Sequence, residues 1–528
     1  MRVGLFLSRE DGAVSKVLDV DGLARSYQHL AACHVVDSFF GHGDHVGVMA
    51  TVREHCLEAV VLAGGAPSHY EEVLFGSRIL DDLHGAGVNP NRVVFANLLD
   101  LVALVHATDP LSAAAKARLL LDVALARAEL APATESISVR PWRAVLVAGT
   151  SPAGIVAAAT LIGEGYHVTV LEPHGEPRAP AEHWPQLGAA WTAVLLARRA
   201  RILMESRLVD VSGHVGDFEV VAATPNGEER FTVGGIILAP GDDMEWIAEL
   251  RGKLRFATDC FGQAITSSSR LGGCTERGVC IVQPRGGDRL ALEVAGANAA
   301  VLSLTALLDR EEIDYPLLVT HVDEKVCGGC GTCVKTCAFS ASHIDTARKI
   351  SVIDAQRCKG CGNCVTACPT GARDLVQDPS VYVYKAIDVL SRGIPGSRDP
   401  KILGIFCGAC GEAALRVAAT CETELEYPPS MLPLVLTCGG AVDTEYVLKA
   451  FASGFDGVAL FVCADGHCRN SVGNTDMIRR MGVLREVLRS RRIDDGRLRV
   501  FQVCPNEGDV VRRDLHELIG ELRAEAGR

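Results

Sequence analysis

The chain has 528 residues, 48% of them hydrophobic and 5% aromatic, and its 52 Lys and Arg against 65 Asp and Glu give a formal net charge of -13 at pH 7. This length exceeds a single core and predicts about three to five domains, and the acidic balance argues against nucleic acid as the main partner. The 20 cysteines cluster in C-x-x-C runs, which argues against a secreted disulfide scaffold and indicates metal ligation in a reducing compartment.

The N-terminus shows a short apolar strand followed by charges, without the pattern of a signal peptide. The uncharged stretch 144–163 is long enough to raise the question of a membrane span. Gly149, Ser151, Pro152 and Gly154 interrupt its centre, so strand, turn and helix is the better interpretation. We therefore expect a cytoplasmic protein with no membrane span of its own.

Residues 1–140 alternate strand-like and helix-like patterns, which predicts an N-terminal α/β domain with a parallel sheet. The segment 131–141 is predicted as a linker. The predicted strands are 1–7, 59–65 and 92–98, and a long Ala/Leu-rich helix covers roughly 111–130.

A second α/β unit, 141–312, opens with a strand that leads into the turn G-T-S-P-A-G and an Ala-rich helix. This outlines a Rossmann-like dinucleotide fingerprint, in which Gly149 makes the tight turn and Gly154 permits close helix–strand packing. Glu172, at the end of the next strand, is placed to bind a ribose hydroxyl. Ser151 stands where a second glycine normally lets the backbone approach the pyrophosphate.

The Pro-Ala-Gly ending of this turn resembles flavoprotein versions of the fingerprint. Residues 233–241 resemble the strand that returns beneath the flavin, and 277–288 resemble the last flavin-contacting segment. The span is short, which implies a single FAD site; a relic Rossmann fold with an empty site is the alternative. The candidate FAD residues are Gly149, Ser151, Pro152, Ala153, Gly154, Glu172, Gly241, Gly287 and Asp288.

Two identical cysteine runs with x2, x2, x3 spacing occupy a predicted ferredoxin-like α+β insert, 318–378. This spacing is typical of bacterial two-cluster ferredoxins, in which the fourth cysteine of each run ligates the other [4Fe–4S] cluster. Two structural zinc sites are the alternative. The first predicted cluster ligands are Cys327, Cys330, Cys333 and Cys368, and the second are Cys358, Cys361, Cys364 and Cys337.

The last predicted domain, 400–515, is an α/β unit with cysteines that follow apolar strands. Their sulfurs can converge at one sheet edge, where four of the five fit a [2Fe–2S] cluster, with zinc as the alternative. These cysteines are Cys407, Cys410, Cys438, Cys463 and Cys468. We expect Cys504 to be an ordinary residue.

Most of the chain resembles the family of heterodisulfide reductase A subunits, on the stretches 60–76, 87–98, the G-x-x-P-A-G turn and the ferredoxin module. That family carries an additional N-terminal cluster, but this sequence has LSREDG and GGAP where its cysteines would stand, which implies that the cluster is absent. Residues 401–510 resemble the delta subunit of methyl-viologen-reducing hydrogenase, which binds [2Fe–2S], through the C-x-x-C, EYPPS, EYVLKAF and GFDGVAL sequences.

A fusion of these modules is similar to the B subunit of the quinone-interacting membrane-bound oxidoreductase. The resemblance implies an electron-transfer subunit that relays electrons between [2Fe–2S], FAD and two [4Fe–4S] clusters. Its partners would be heterodisulfide reductase-like, hydrogenase-like or dehydrogenase-like subunits, or a membrane-bound quinone-reactive one. The alternatives are a self-contained flavin-dependent reductase and a non-catalytic iron–sulfur scaffold or redox sensor.

Overall fold

The computed structural model describes residues 1–39, 42–66, 79–178, 184–254, 256, 258–259, 261–264, 273–283, 289–420 and 427–526. The chain divides into two compact units. The first combines Met1–Glu135 with Leu318–Arg528, and the second is Ser136–Leu317. The predicted N-terminal, ferredoxin and C-terminal segments therefore belong to one unit, which the linear domain order does not suggest.

The N-terminal segment forms a four-stranded parallel sheet, with its strands in the order Ala32–Val36, Val3–Ser8, Ala59–Gly64 and Val93–Asn97. The two central strands are buried along their whole length, as expected for parallel strands that are covered on both faces. The helices of this segment are Val20–Arg25, His42–Glu54, Ile79–Gly85 and Pro110–Leu130. The strand Ala32–Val36, of which only the two end residues are buried, is not among the strands predicted from the sequence.

The C-terminal segment repeats this arrangement, with parallel strands in the order Met431–Leu436, Ile402–Cys407, Gly457–Cys463 and Leu498–Val503. The segment Ser380–Leu390, helical and apolar on one side, packs on the helix Pro110–Leu130. The two sheets consequently share one continuous hydrophobic core. The remaining helices are Cys410–Thr420, Thr444–Ala452, Gly473–Ser490 and Gly508–Ala526.

The ferredoxin segment consists of two antiparallel strand pairs and two short helices. Thr320–Val322 pairs with Arg373–Leu375, and Ser342–Asp345 pairs with Ile350–Ile353. The third cysteine of each run lies in one of the helices, which are Thr332–Thr336 and Asn363–Thr366. The segment has the α+β character that the paired cysteine runs predict.

The second unit contains a six-stranded sheet, which includes the strand Ala144–Ala148, and a separate three-stranded antiparallel sheet. The predicted linker 131–141 is in part a strand, because Ser136–Val139 pairs with Ile313–Pro316. The six strands, in order, are Gly273–Glu276, Val279–Ile281, Gly235–Leu238, Ala144–Ala148, His167–Leu171 and Ala200–Leu203. The three strands are Gly227–Val233, Asp217–Thr224 and Arg207–His214. The helices are Pro152–Gly163, Trp184–Leu196, Met244–Lys253 and Arg289–Leu308.

The uncharged stretch 144–163 forms the predicted strand, turn and helix. Among the described residues one helix, Arg289–Leu308, is long and apolar enough to cross a membrane by length and composition. It packs against the helix Pro152–Gly163 in the core of the second unit, and this position is typical of a core helix in an α/β domain.

Candidate iron–sulfur and nucleotide sites

The two ferredoxin cysteine runs have matching backbones. Gly331 and Gly362 precede the two short helices with φ of 75° and 81°, a left-handed conformation that glycine adopts at little cost. Each glycine turns the chain into a short helix, and the third cysteine of its run lies in the first turn of that helix. Cys333 and Cys364, the third cysteines, are accordingly the buried members of their runs.

Hydrogen bonds to sulfur accompany several of these cysteines. The Ser351 amide donates to Cys327 Sγ at 3.3 Å, and the Ala341 amide donates to Cys337 Sγ at 3.3 Å. Hydrogen bonding by Thr332 lowers the pKa of the exposed Cys330 thiol. Such donors stabilise thiolate, the form in which cysteine ligates iron.

The five C-terminal cysteines converge at one edge of their sheet, as predicted. Cys407 and Cys463 end neighbouring parallel strands, and their sulfurs lie 3.6 Å apart. Further sulfur contacts join Cys463 to Cys410 and Cys468. The hydrogen bond with Cys463 lowers the pKa of Cys407 below its ordinary value.

Cys438 and Cys468 form a second sulfur contact, which together with burial raises the pKa of Cys438 well above its ordinary value. Gly473 makes room for this pair, since a Cβ there would lie 2.6 Å from Cys438 Sγ and 3.5 Å from Cys468 Sγ. No three His, Cys, Asp or Glu side chains of the described ranges converge as a single-ion site. Nothing in the sequence pattern marks Gly473. Cys504, which was expected to be an ordinary residue, follows the fourth strand at the same edge of the sheet.

The ferredoxin segment and the C-terminal cysteines meet directly. A Cβ on Gly440 would lie 2.4 Å from Asn363 Oδ1 and 2.7 Å from the backbone oxygen of Cys361. Burial, and after it the nearby Cys438 sulfur, raises the pKa of Cys361 above its ordinary value. One predicted ligand of the second [4Fe–4S] site therefore lies within electrostatic reach of a predicted [2Fe–2S] ligand.

The nucleotide turn of the second unit has the predicted backbone. Gly149 has φ of 116°, and a Cβ there would lie 2.0 Å from the Ala239 carbonyl oxygen. A Cβ on Gly154 would lie 2.0 Å from the Gly149 carbonyl oxygen. Both glycines thus have the roles that the fingerprint assigns to them, a tight turn and close helix–strand packing.

The hydrogen-bonding groups around this turn are engaged by the chain's own carboxylates. Glu172 is fully buried and accepts from the amide and hydroxyl of Thr150, at 2.9 and 2.5 Å. Glu293 is 1% exposed and accepts from the Ala153 amide at 3.0 Å, at the helix N-terminus where a pyrophosphate would bind. As folded, the turn does not offer these groups to a dinucleotide.

The other candidate FAD residues lie near the turn. Ser151 and Pro152 are buried at the start of the helix Pro152–Gly163. A Cβ on Gly241 would lie 3.5 Å from Ser151 Cβ, and Ser151 Oγ is buried without a hydrogen-bond partner among the described residues. Gly287 and Asp288 lie outside the described residues. Glu293 was not among the site residues predicted from the sequence, although it is a single carboxylate within an otherwise uncharged stretch of helix.

Comparisons with known proteins match each of the two cysteine-rich segments to a family. Residues 402–524 match the family described as methyl-viologen-reducing hydrogenase, delta subunit, and residues 320–382 match the 4Fe-4S dicluster domain. The chain is 30% identical over 110 residues to the iron-sulfur D subunit of the F420-non-reducing hydrogenase of Archaeoglobus profundus, with 21% of this chain and 79% of that protein covered.

The chain is also 32% identical over 237 residues to the A subunit of the ferredoxin/F(420)H(2)-dependent CoB-CoM heterodisulfide reductase of Methanosarcina acetivorans, and the match covers 45% of this chain. It spans 29% of that relative's length. A crystal structure of THI4 from Thermovibrio ammonificans aligns with 32% of this chain and 91% of its own, at 12% identity and a TM-score of 0.26. The chain belongs, through its C-terminal domain, to the family of methyl-viologen-reducing hydrogenase delta subunits, and it joins that domain to a dicluster segment and to sequence similar to heterodisulfide reductase A subunits.

Proposed function

We propose that this chain is an iron–sulfur electron-transfer subunit of a larger cytoplasmic redox complex. The observation that carries the proposal is the close backbone approach between the second ferredoxin run and the C-terminal cysteines, where Gly440, two residues after Cys438, packs against Asn363 and the Cys361 carbonyl oxygen. Bound clusters would supply one-electron storage and transfer. The protein's own part is to hold two kinds of cluster site side by side within one compact unit.

The cysteine contacts favour a particular assignment of the C-terminal ligands. Two thiolates on one tetrahedral metal with bonds of about 2.3 Å lie about 3.8 Å apart, and the sulfurs of Cys407 and Cys463 are 3.6 Å apart. Cys438 and Cys468 form the other contacting pair. We assign one pair to each iron of a [2Fe–2S] cluster, with Cys410 as the fifth, supporting thiol.

The burial of the ferredoxin cysteines gives the arrangement a direction. Cys361 is half-buried and lies within electrostatic reach of Cys438 of the C-terminal set, whereas Cys330 of the other [4Fe–4S] site is exposed. The order is therefore C-terminal set, second ferredoxin site, first ferredoxin site and surface. We propose that partner subunits exchange electrons at the exposed end, near Cys330. The relatives' names point to heterodisulfide reductase-like or hydrogenase-like partners.

The proposed electron transfer does not pass through FAD. Its fold-level fingerprint is present, but Glu293 holds the Ala153 amide and Glu172 holds Thr150. The groups around the turn, as folded, fit their own carboxylates rather than a pyrophosphate.

The decisive experiment measures iron, acid-labile sulfide, zinc and flavin in the anaerobically purified chain, together with EPR spectra of its reduced form. We expect about ten irons per chain, from two [4Fe–4S] clusters and one [2Fe–2S] cluster, with reduction by viologen but no substrate turnover until partner subunits are added. Zinc in place of iron would contradict the proposal. Turnover of a disulfide or quinone by the chain alone would replace it with a self-contained reductase.

A further inference from the structure

Arg373 is a buried arginine in the last strand of the ferredoxin segment. It is 4% exposed and begins the strand Arg373–Leu375, which pairs with Thr320–Val322. Its guanidinium donates to Cys364 Sγ at 3.2 Å and to Ser351 Oγ at 2.5 Å, with a longer contact to Thr320 Oγ1 at 3.4 Å. These hydrogen bonds thus reach one sulfur and two hydroxyls.

Ser351 extends this contact to the other cluster site. The Ser351 hydroxyl lies 3.2 Å from Cys333 Sγ, and the Ser351 amide donates to Cys327 Sγ at 3.3 Å. Cys333 and Cys327 belong to the first predicted [4Fe–4S] site, whereas Cys364 belongs to the second. Two side chains, Arg373 and Ser351, therefore form a continuous polar connection between the ligands of the two sites.

The ferredoxin segment is an internal duplication, and only one of its two halves carries a charged residue at the position of Arg373. Thr320 and Ser351 occupy matching positions, each seven residues before the first cysteine of its run. Arg373 stands five residues after Cys368, and the matching position after Cys337 is Ser342. Only one of the two equivalent positions carries a charge, so the arginine is not required by the repeated fold itself.

A buried guanidinium is costly unless negative charge compensates it. Arg373 contacts Cys364 Sγ directly and reaches Cys333 Sγ through Ser351, and as cluster ligands these two sulfurs would be thiolates, whose negative charge compensates the guanidinium. A cluster that gains an electron becomes more negative, and a fixed neighbouring cation stabilises that state more than the oxidised one. Hydrogen bonds to the ligand sulfurs act in the same direction.

We propose that Arg373 is a positioning residue that holds a positive charge between the two [4Fe–4S] sites and raises both of their reduction potentials. Its effect is larger at the site that contains Cys364, which it contacts directly, and smaller at the site reached through Ser351. This inference rests on the proposed iron–sulfur function, and it adds the residue that sets the energy of the two clusters relative to the C-terminal site.

The test is an EPR-monitored redox titration of the full chain with Arg373→Met, Arg373→Lys and Ser351→Ala, and with Ser342→Ala as the control. We expect Arg373→Met to shift both [4Fe–4S] midpoint potentials downward, and Arg373→Lys to restore part of the shift. Ser351→Ala should lower mainly the potential of the site with Cys327 and Cys333. Ser342→Ala should leave both potentials near those of the natural chain, because it alters no contact of Arg373.

The outcomes separate this inference from the proposed function. A natural chain without [4Fe–4S] signals would overturn the proposed function itself. A natural chain with both signals, and an Arg373→Met chain with full iron content and unchanged potentials, would overturn only the role of Arg373. If Arg373→Met does not assemble, Arg373→Lys and Ser351→Ala decide: unchanged potentials in both contradict the inference, and the expected shifts support it.

Discussion

The side-chain hydroxyl of Thr366 donates a hydrogen bond to the backbone carbonyl of Gly440 at 3.2 Å. Thr366 lies between the last two cysteines of the second ferredoxin run, and Gly440 follows Cys438 of the C-terminal set. Gly362 and Ala441 meet at the same contact, where a Cβ on Gly362 would lie 2.7 Å from Ala441 Cα. The two cysteine-bearing segments are therefore held by close backbone approach, which small residues permit.

Gly440→Ala should separate the two segments, because the added Cβ has no room beside Asn363 and the Cys361 carbonyl oxygen. We expect the iron content to stay near that of the natural chain, and the magnetic interaction between the [2Fe–2S] and [4Fe–4S] signals to weaken. EPR of the reduced chain measures this interaction. Gly482→Ala is the matched control, since nothing lies within 4 Å of a Cβ there. An unchanged interaction in Gly440→Ala would show that this contact does not set the spacing of the clusters.

The sulfur pairs predict unequal effects of serine substitutions in the C-terminal set. Cys463→Ser removes a sulfur that contacts Cys407, and it should abolish the [2Fe–2S] signal. Cys410→Ser should retain the signal with an altered line shape, because Cys410 lies outside the two assigned pairs. Iron analysis and EPR of both variants measure the difference. Loss of the signal in Cys410→Ser and its survival in Cys463→Ser would reverse the assignment.

Lys116 predicts a specific pH dependence of stability. It is fully buried, donates to the Pro429 carbonyl oxygen at 3.2 Å, and burial lowers its pKa to about 7. The unfolded chain keeps this proton up to a pKa of about 10.4, so between pH 7 and 10 the unfolded state binds more proton at this lysine, and the contribution of Lys116 to folding stability rises with pH. The neighbouring His106, with a pKa lowered to about 4 by burial, is neutral across this window.

Lys116→Met should remove this contribution, which amounts to about 1.4 kcal/mol per pH unit within the window. Denaturant unfolding at pH 7, 8 and 9 should give a smaller rise in unfolding free energy with pH than in the natural chain. The exposed Lys385→Met is the control and should keep the natural slope. Equal slopes in all three chains would mean that Lys116 is not buried as a low-pKa amine.

Glu293→Gln should strengthen the binding of FAD by the purified chain. The natural carboxylate holds the Ala153 amide and is paired with Arg289 at 3.0 Å, and its charge opposes a pyrophosphate at the same helix N-terminus. Titration of FAD fluorescence measures the two affinities, with the exposed Glu228→Gln as the control. A natural chain that already binds one FAD tightly, with no gain in the variant, would show that Glu293 moves aside without cost.

The sequence predicts features that depend on local spacing. The ferredoxin loops follow from cysteine spacing and from Gly331 and Gly362, and the nucleotide turn follows from Gly149 and Gly154, because each is decided within a few neighbouring residues. The convergence of the C-terminal cysteines also follows, since parallel strands end at one edge.

The contacts between distant segments could not be predicted in the same way. The segments that carry Cys361 and Cys438 meet through the small residues Gly362, Gly440 and Ala441, and no periodicity in the sequence marks that pairing. Glu293 and Arg373 are similar cases, since a charge in an apolar helix or after a cysteine run gives no indication of its buried partner. A lone carboxylate among apolar residues indicates that a buried polar partner exists, but it does not identify that partner.

The order of segments along the chain also has a consequence for biosynthesis. The helix Pro110–Leu130 shares its core with the helix Ser380–Leu390 and the C-terminal sheet, but the whole second unit is translated between them. At roughly 5–20 residues per second, the N-terminal segment waits on the order of tens of seconds for its packing partners. During this interval Ser136–Leu317 has all of its own packing partners, whereas the unit that holds the two cysteine-rich segments closes only after the C-terminal sheet has been translated, so that its cysteines come together late in synthesis.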